Sequence, residues 1–379
     1  MDFSPSEENE ALRRLVREFA EREIAPHAEA WDRDHHFPVD TVRAMGALGL
    51  FGLALPEEYG GGGSDLLSLC IAIEELARVD ASMALTLEAA VGLGAGPIAR
   101  FGTEEQKQRW LPDLAAGTAL AAFGLTEADS GSDAAGLRTR AVLDGDEWVI
   151  DGTKAFITNS GTEMTSLITV AAKTGDDEIS TIVVPSDTPG LTVEPAYRKM
   201  GWRASDTHGL RLEGCRVPAD HLLGERGKGL RHFLEILDEG RIAIAALATG
   251  MIQGCLDEAR VHASERAAFG RPIGANQAIA FMVADMGVAV EASRLLTQRA
   301  AWLRDTGQPF RTEAAMAKLF SSEAAVTATR QATQIFGGAG FMDETPVSRF
   351  YRDAKVLEIG EGTSEVQRLV ISRALGMPV

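Results

Sequence analysis

The chain has 379 residues, 45% of them hydrophobic and 24% charged, a composition typical of a soluble globular protein. This length exceeds one ordinary hydrophobic core and predicts two or three domains. The 55 acidic and 37 basic residues give a formal net charge of −18, which disfavours binding to nucleic acid or to an anionic membrane surface.

Cysteine spacing and the N-terminal composition predict a cytoplasmic protein. Cys70, Cys215 and Cys255 lie far apart and form no CxxC pair, which suits a reducing compartment. The first residues are acidic and lack the apolar segment of a signal peptide. The longest apolar stretch, residues 242–256, is interrupted by polar residues and predicts a buried helix rather than a membrane span.

The first third of the chain has helical periodicity. Leu12, Leu15, Val16 and Phe19 predict one apolar face of a helix that ends near Pro26. Further helices are predicted over residues 39–48 and over residues 65–79, the latter capped by Ser64, with a glycine-rich loop at residues 56–63 between them.

From about residue 121 short β-prone segments replace the helical pattern. They alternate with Asp144-Gly145 and Asp151-Gly152, pairs that favour hairpin turns. The predicted strands are residues 138–143, 148–150, 167–171, 181–184, 191–193 and 210–212. This segment predicts a small antiparallel β-domain of the sandwich or barrel type.

Helical periodicity returns after residue 225 and continues to the end. One long helix begins around Phe233, and the alanine-rich residues 314–336 suit close packing in a bundle. We therefore predict an α+β multidomain fold with an N-terminal α-helical domain (1–120), a middle β-domain (121–224) and a C-terminal helical domain (225–379). The two helical segments are expected to pack together, because the first is too short of helices to form a complete bundle.

Several common functional motifs are absent. The glycines at 92, 94 and 96 follow a helix rather than a strand, and residues 224–229 lack the Lys-Ser/Thr ending of a P-loop. No GxSxG elbow occurs, and the seven histidines show no metal-ligand spacing, so no metal site is predicted.

Glu361 is the candidate catalytic base. It lies between Gly360 and Gly362, where a bare backbone lets a substrate approach the carboxylate. Burial would raise the pKa of Glu361 and make it a stronger base for removing a proton next to a carbonyl. The alternative is a surface loop in which Glu361 pairs with Arg352 or Arg368.

Other segments each allow a functional and a structural interpretation. Residues 123–133 carry hydroxyls that could bind an anionic ligand, or form a turn. On the predicted strand, Phe156 and Thr158 share a face opposite Ile157, where they could meet a flat heterocycle or pack in the core. Asp238 and Arg241, three apart on a helix, could bind a ligand or form an ion pair. Arg266 could grip phosphate or neutralise a helix C-terminus. The three glycines at 337, 338 and 340 exceed what helix capping needs.

Together and in this order, these segments resemble the acyl-CoA dehydrogenase family, close to its short-chain, butyryl-CoA-type members. The resemblance covers essentially the whole chain. It implies an α-helical domain, a β-domain and a C-terminal four-helix bundle, usually assembled as a homotetramer, with FAD as the cofactor.

The resemblance also implies residue roles. FAD would contact Phe123, Leu125, Thr126, Gly131, Ser132, Phe156, Ile157, Thr158, Arg266, Phe269, Gln277, Gln334, Ile335, Gly337, Gly338, Thr363, Ser364 and Glu365. Of these, Arg266, Gln277 and the 334–338 loop would reach the FAD of a neighbouring subunit. The acyl-CoA substrate would contact Ser132, Asp238, Arg241 and Gly362. Because CoA is an anion, its site must be a local basic exception on this acidic chain.

The implied reaction is α,β-dehydrogenation of an acyl-CoA to a trans-2-enoyl-CoA. Glu361 would remove the C2 proton while C3 gives a hydride to flavin N5, and electrons would pass to an electron-transfer flavoprotein. The alternatives are an oxidase or dehydrogenase acting on acyl-CoA or on a carrier-protein-bound acyl group, and a non-catalytic acyl-CoA-binding protein.

Three departures from the family pattern, and one further position, bear on the site. Ala128-Asp129 replaces Pro-Gly, which would put an acid near a pyrophosphate unless Asp129 points away. Phe156 replaces a common tryptophan and Gly360 a frequent tyrosine. Some branched-chain relatives carry the base at the position of Gly240, which cannot act here, so Glu361 is the sole candidate.

Overall fold

A computed structural model describes residues 6–378. The N-terminal helices are α1 (Glu7–Phe19), α2 (Ala28–Asp34), α3 (Val39–Ala47), α4 (Leu66–Ala77), α5 (Ala81–Glu88), α6 (Gly96–Phe101) and α7 (Glu104–Ala115). The predicted helices are present, with two corrections. Leu15 is 45% exposed, so the buried face of α1 is narrower than predicted. The cap of α4 is Asp65, whose carboxylate accepts from the Ser68 N–H, and not Ser64.

A π-helical turn, Ala89–Ala95, continues α5 directly into α6. Its wider winding suits the glycines of this segment, and such turns are frequent at functional sites. A Cβ on Gly94 would collide with the Ala121 carbonyl, so the turn lies against the start of the β-domain. The glycines at 92, 94 and 96 therefore lie at a close-packed junction between two helices.

The middle domain contains one eight-stranded sheet. Its strands are β1 (Leu120–Gly124), β2 (Arg140–Asp144), β3 (Glu147–Thr158), β4 (Thr165–Lys173), β5 (Ile179–Pro185), β6 (Leu191–Val193), β7 (Thr207–Pro218) and β8 (Leu222–Leu223). The order is β6-β7-β3-β2-β4-β5-β8, with β1 paired to β4. Most pairs are antiparallel as predicted, but β4 pairs in parallel with both β1 and β2.

The Asp144-Gly145 turn was predicted correctly, whereas the Asp151-Gly152 turn was wrong. Both residues lie inside β3, which continues for 12 residues along β7. The register with β7 shifts between Ile150 and Gly152, and a Cβ on Gly152 would collide with Thr139. The glycine therefore serves a bulge and a close approach, which local sequence cannot distinguish from a turn.

The C-terminal domain is helical. It contains α8 (Gly229–Glu265), a short hairpin of β9 (Ala267–Ala268) and β10 (Arg271–Pro272), then α9 (Gln277–Asp305), α10 (Arg311–Phe336), α11 (Pro346–Ala354) and α12 (Ser364–Ala374). One buried apolar cluster joins α8, α9 and α10 to α1, α4 and α5, so the two helical segments pack together as predicted.

Within residues 6–378, two helical stretches are long and apolar enough to cross a membrane, Ala81–Phe101 and Gly229–Glu265. Both are mostly buried inside the fold, which is what core helices of this length require. The prediction that residues 242–256 form a buried helix is confirmed.

Candidate active site

A cavity of about 760 Å³ lies where the N-terminal helical domain, the middle β-domain and the C-terminal helical domain meet. Its walls come from α5 and the π-helical turn, from strands β1 and β3, from α8, and from the loop that precedes α12. The predicted residues that line it are Phe123, Leu125, Thr126, Gly131, Ser132, Phe156, Ile157, Thr158, Arg241, Glu361, Gly362 and Thr363. The structure thus brings together residues that are more than half the chain apart.

Glu361 points its carboxylate into this cavity region rather than into solvent. Its backbone has φ +53° and Gly362 has φ +89°, so two consecutive residues occupy the left-handed region. For Glu361 this conformation costs about 1 kcal/mol. Oε2 is buried and accepts no hydrogen bond from an N–H or hydroxyl group within residues 6–378.

The structural alternative for Glu361 is not realised. Arg352 donates to Asp32, and Arg368 donates to Glu323 at 2.6 Å. Neither arginine therefore neutralises Glu361. The N–H groups of Glu361 and Gly362 donate to no other group in the described part of the chain, so they are free to bind a ligand oxygen.

Burial sets the protonation of Glu361. It raises the pKa of Glu361 to about 7, although a hydrogen bond from Glu88 and the charges of Lys318 and Arg241 lower it. A carboxylate with a pKa near neutrality is suited to general-base catalysis.

Glu88, the last residue of α5, was missed by sequence reasoning. It is fully buried, and neither of its oxygens accepts a hydrogen bond from an N–H or hydroxyl group in residues 6–378. It lies within hydrogen-bonding reach of Glu361, and burial together with the charge of Glu361 raises its pKa well above the usual value. Glu88 is therefore the carboxyl of this pair that favours the protonated form. The one available signal was a single acid in the otherwise uncharged stretch of residues 83–91.

A second buried pair holds the loop that carries Thr126 and Ser132. Glu127 accepts from the Arg138 and Thr139 N–H groups and from Lys154 Nζ at 2.8 Å. Burial lowers the pKa of Lys154 to about 8, and the bonds to Glu127 partly offset this. Asp129, in contrast, is 72% exposed and pairs with Arg138, so it points away from the cavity.

The wall formed by the end of β3 presents an exposed aromatic ring. Phe156 is 63% exposed, has φ +61°, and its ring centroid lies 5.2 Å from that of Tyr197. Ile157 is buried on the opposite side, as the predicted alternation requires. The ring of Phe156 therefore does not pack in the hydrophobic core and is available to a planar ligand.

The residues that line the cavity carry a net positive charge, opposite in sign to the net charge of the chain. Glu361 is the acidic residue of its lining, whereas the basic residues of the lining are Arg198, Lys199, Arg241, Arg352 and Lys355. This is the local basic exception that an anionic ligand requires on a chain of net charge −18. Within residues 6–378 no cluster of three metal-ligating side chains occurs.

Other predicted residues do not line the cavity of the same chain. Asp238 pairs with Arg241 and faces Arg311. Ser364 is buried and Glu365 exposed at the start of α12. The remaining ones lie at the far end of the C-terminal helices: Arg266, Phe269, Gln277, Gln334, Ile335, Gly337 and Gly338. Phe269 is fully exposed, whereas the Ile335 side chain is buried in the core.

Comparison with known proteins decides the family. Profiles of the acyl-CoA dehydrogenase N-terminal, middle and C-terminal domains match residues 6–118, 122–215 and 227–376. The chain belongs to the acyl-CoA dehydrogenase family. The predicted family and fold class are thereby confirmed, and the protein is an oxidoreductase of the acyl-CoA dehydrogenase type.

Individual relatives are similar over nearly the full length. A probable acyl-CoA dehydrogenase of Bacillus subtilis is 51% identical over 99% of this chain and 100% of the relative. The mitochondrial short-chain specific acyl-CoA dehydrogenase of Bos taurus is 47% identical over 97% and 89%. The butyryl-CoA dehydrogenase structure from Megasphaera elsdenii superposes with a TM-score of 0.97 at 39% identity, over 100% of both chains.

Cofactor use follows from the family. An acyl-CoA dehydrogenase from Bacillus anthracis, complexed with FAD, superposes with a TM-score of 0.94 at 33% identity over 98% of this chain and 67% of that one. Acyl-CoA dehydrogenases are FAD enzymes, so the prediction of FAD is confirmed.

Proposed function

We propose that this acyl-CoA dehydrogenase carries out FAD-dependent α,β-dehydrogenation of a short-chain acyl-CoA, with Glu361 as the base that removes the C2 proton. The observation that carries the proposal is the Glu361 carboxylate, buried over Gly240 at the wall of a basic cavity and paired with no cation. Family relatives with short-chain and butyryl-CoA specificity support the substrate class.

The cavity residues fit FAD. The Phe156 ring is available for stacking, and the hydroxyls of Thr126, Ser132 and Thr158 can bind polar edges of the ligand. Trp202 Nε1 is a buried donor without a hydrogen-bond partner in residues 6–378, and Trp202 lines the cavity. When bound, the flavin supplies the hydride acceptor of the reaction.

The chain's own residues then supply position, charge and proton transfer. Glu361 takes the C2 proton because its pKa of about 7 leaves a substantial ionised fraction at neutral pH. The free N–H groups of Glu361 and Gly362 can donate to the thioester oxygen, where negative charge develops. The apolar walls Leu93, Leu237 and Ile244 exclude water and strengthen these interactions.

We further propose that the electrons pass to an electron-transfer flavoprotein. In support, a chain from a structural study of the electron transferring flavoprotein of Acidaminococcus fermentans superposes with a TM-score of 0.97 at 44% identity, over 99% of both chains. The second candidate is an oxidase acting on a carrier-protein-bound acyl group, because a prolyl acyl carrier protein oxidase also shares the fold, with a TM-score of 0.94 at 32% identity over 99% of this chain and 100% of that one.

We infer a homo-oligomer, a tetramer as the family resemblance implies. An apolar stripe on α9 is exposed, and its members recur every seven residues: Phe281, Val288, Leu295 and Trp302. A monomer rarely leaves such a stripe uncovered. Association would also bring Arg266 and Gln277 of one subunit toward the cofactor of another, which explains why neither lines its own cavity.

The test is anaerobic mixing of the FAD-loaded protein with butyryl-CoA. Bleaching of the flavin in the wild type, its loss in Glu361→Gln with FAD content unchanged, and slow reoxidation by air would support the dehydrogenase. Rapid turnover in air, or bleaching only by a carrier-protein thioester, would favour the second candidate. Undiminished bleaching in Glu361→Gln would contradict the assignment of the base.

A further inference from the structure

Lys318, in the first third of α10, is a fully buried cation. The helix around it is built from small residues, Ala314, Ala317 and Ser321, which bring α10 close to its neighbours. Burying an ammonium group costs free energy unless it is compensated. Burial accordingly lowers the pKa of Lys318 to about 8. Stability therefore does not account for a lysine here, since an apolar side chain would fill the site without this cost.

The bond that Lys318 makes leads to the catalytic loop. Its Nζ donates to the Gly362 carbonyl at 2.8 Å, and Nε2 of the buried Gln367 donates to the same oxygen at 2.8 Å. Two buried side chains thus fix the carbonyl that follows Glu361. They hold the consecutive left-handed residues 361 and 362 in a conformation that would otherwise relax.

The ammonium also acts on the carboxylate. The charged and titratable groups facing Glu361 are Glu88 from α5, Arg241 from α8 and Lys318 from α10. Arg241 is already paired with Asp238, whereas the hydrogen bond of Lys318 goes to an uncharged carbonyl. The remaining charges near Lys318 are Glu358 and Glu365, on the flanks of the loop. The largest charge interaction of Lys318 is with Glu361.

We propose that Lys318 is a positioning residue for the base: it fixes the Gly362 carbonyl, and its charge keeps the Glu361 carboxylate ionised while that carboxylate waits for the C2 proton. The inference rests on the proposed role of Glu361. Two side chains hold the loop before α12, and they have different roles. Lys318 supplies geometry and charge, whereas Gln367 supplies geometry alone.

The test compares Lys318→Met with Gln367→Leu and with Ser321→Ala, a buried polar residue on α10 whose hydroxyl has no partner in the described residues. Melting temperature and FAD content are measured first, so that misfolding is recognised. The pH profile of kcat/KM with butyryl-CoA follows. We expect Lys318→Met to move the acid limb upward by about one unit, because a nearby opposite charge favours ionisation. Its rate at pH 7 should fall about fivefold, because the ionised fraction of Glu361 falls by that factor, and should recover as the pH is raised.

Gln367→Leu should lower kcat without moving the acid limb, and Ser321→Ala should change neither. If the limb is unmoved in Lys318→Met, or if Gln367→Leu moves it equally, the charge of Lys318 is not what keeps the base ionised and the proposal is wrong.

A readout without turnover separates this proposal from the proposed function. Infrared difference spectra of the FAD-loaded protein at pH 8 should show, beside the band of protonated Glu88, a second protonated-carboxyl band in Lys318→Met that is much weaker in the wild type and absent from Lys318→Met/Glu361→Gln. Absence of this second band would overturn the role of Lys318. A wild-type protein that fails to dehydrogenate acyl-CoA while the variant still shows the band would instead overturn the function.

Discussion

Oε2 of Glu361 lies over the α-carbon of Gly240, at a position that any side chain on residue 240 would occupy. The glycine of α8 and the acid of the loop before α12 are therefore complementary. Gly240 carries no carboxylate. Because it also lacks a Cβ, it leaves the space that the Glu361 carboxylate occupies.

Gly240→Ala tests this complementarity. The new Cβ would meet the flexible end of Glu361, so the base should be displaced while α8 stays intact. Alanine is favoured over glycine in a helix by about 1 kcal/mol, so the melting temperature should not fall. We expect kcat with butyryl-CoA to drop about 100-fold, within the range that a general base contributes.

The matched control is Gly287→Ala on α9, where an added Cβ meets nothing within 4 Å. It should raise the melting temperature slightly and leave kcat unchanged. Full activity in Gly240→Ala would show that the carboxylate works from another position.

The pH dependence of kcat/KM follows from burial of Glu361. Because burial raises its pKa to about 7 and the base must be ionised, kcat/KM should fall as the pH decreases through about 7. A pH titration of the initial rate with butyryl-CoA measures this. An acid limb near pH 4.5 would mean that the carboxylate is solvated in the working enzyme.

The same shift has a consequence for stability. A carboxyl whose folded pKa is raised stabilises the fold below the unfolded pKa, and this contribution is lost as the pH rises through about 7. Glu361→Gln should therefore raise the melting temperature at pH 8 and lose that advantage at pH 5. The gain in the free energy of unfolding at pH 8 should be at most about 3 kcal/mol. Calorimetry of the wild type and Glu361→Gln at both pH values measures this difference. An equal change in stability at pH 5 and pH 8 would contradict the prediction.

Glu88 provides a further prediction because its proton stabilises the charge on Glu361. Glu88→Leu removes that hydrogen bond and should move the acid limb of kcat/KM to higher pH. Glu88→Gln keeps a donor and should leave the limb near its wild-type position. If both variants behave alike, the hydrogen bond is not what matters.

The fold was predictable where local patterns and long-range packing agree. The Asp-Gly pair at Asp144-Gly145 correctly predicted a turn. The same pair at Asp151-Gly152 lies within β3, because strand pairing with β7 outweighs the local turn preference. Glu361 could be proposed from its flanking glycines. Glu88 and Lys318 could not, since each acquires its role only through burial against a loop distant in sequence.

The apolar stripe of α9 supports the last prediction. Leu295→Glu places a carboxylate in the middle of a surface that we propose is covered by another copy of the chain. Sedimentation should show smaller assemblies, and FAD should be lost on dialysis, because Arg266 and Gln277 would no longer reach a neighbouring site. Val142→Glu, on the 64% exposed position of β2 in the middle domain, is the control and should preserve both assembly and FAD. Dissociation without loss of FAD would show that each subunit holds its cofactor alone, whereas an intact assembly in Leu295→Glu would place the interface elsewhere.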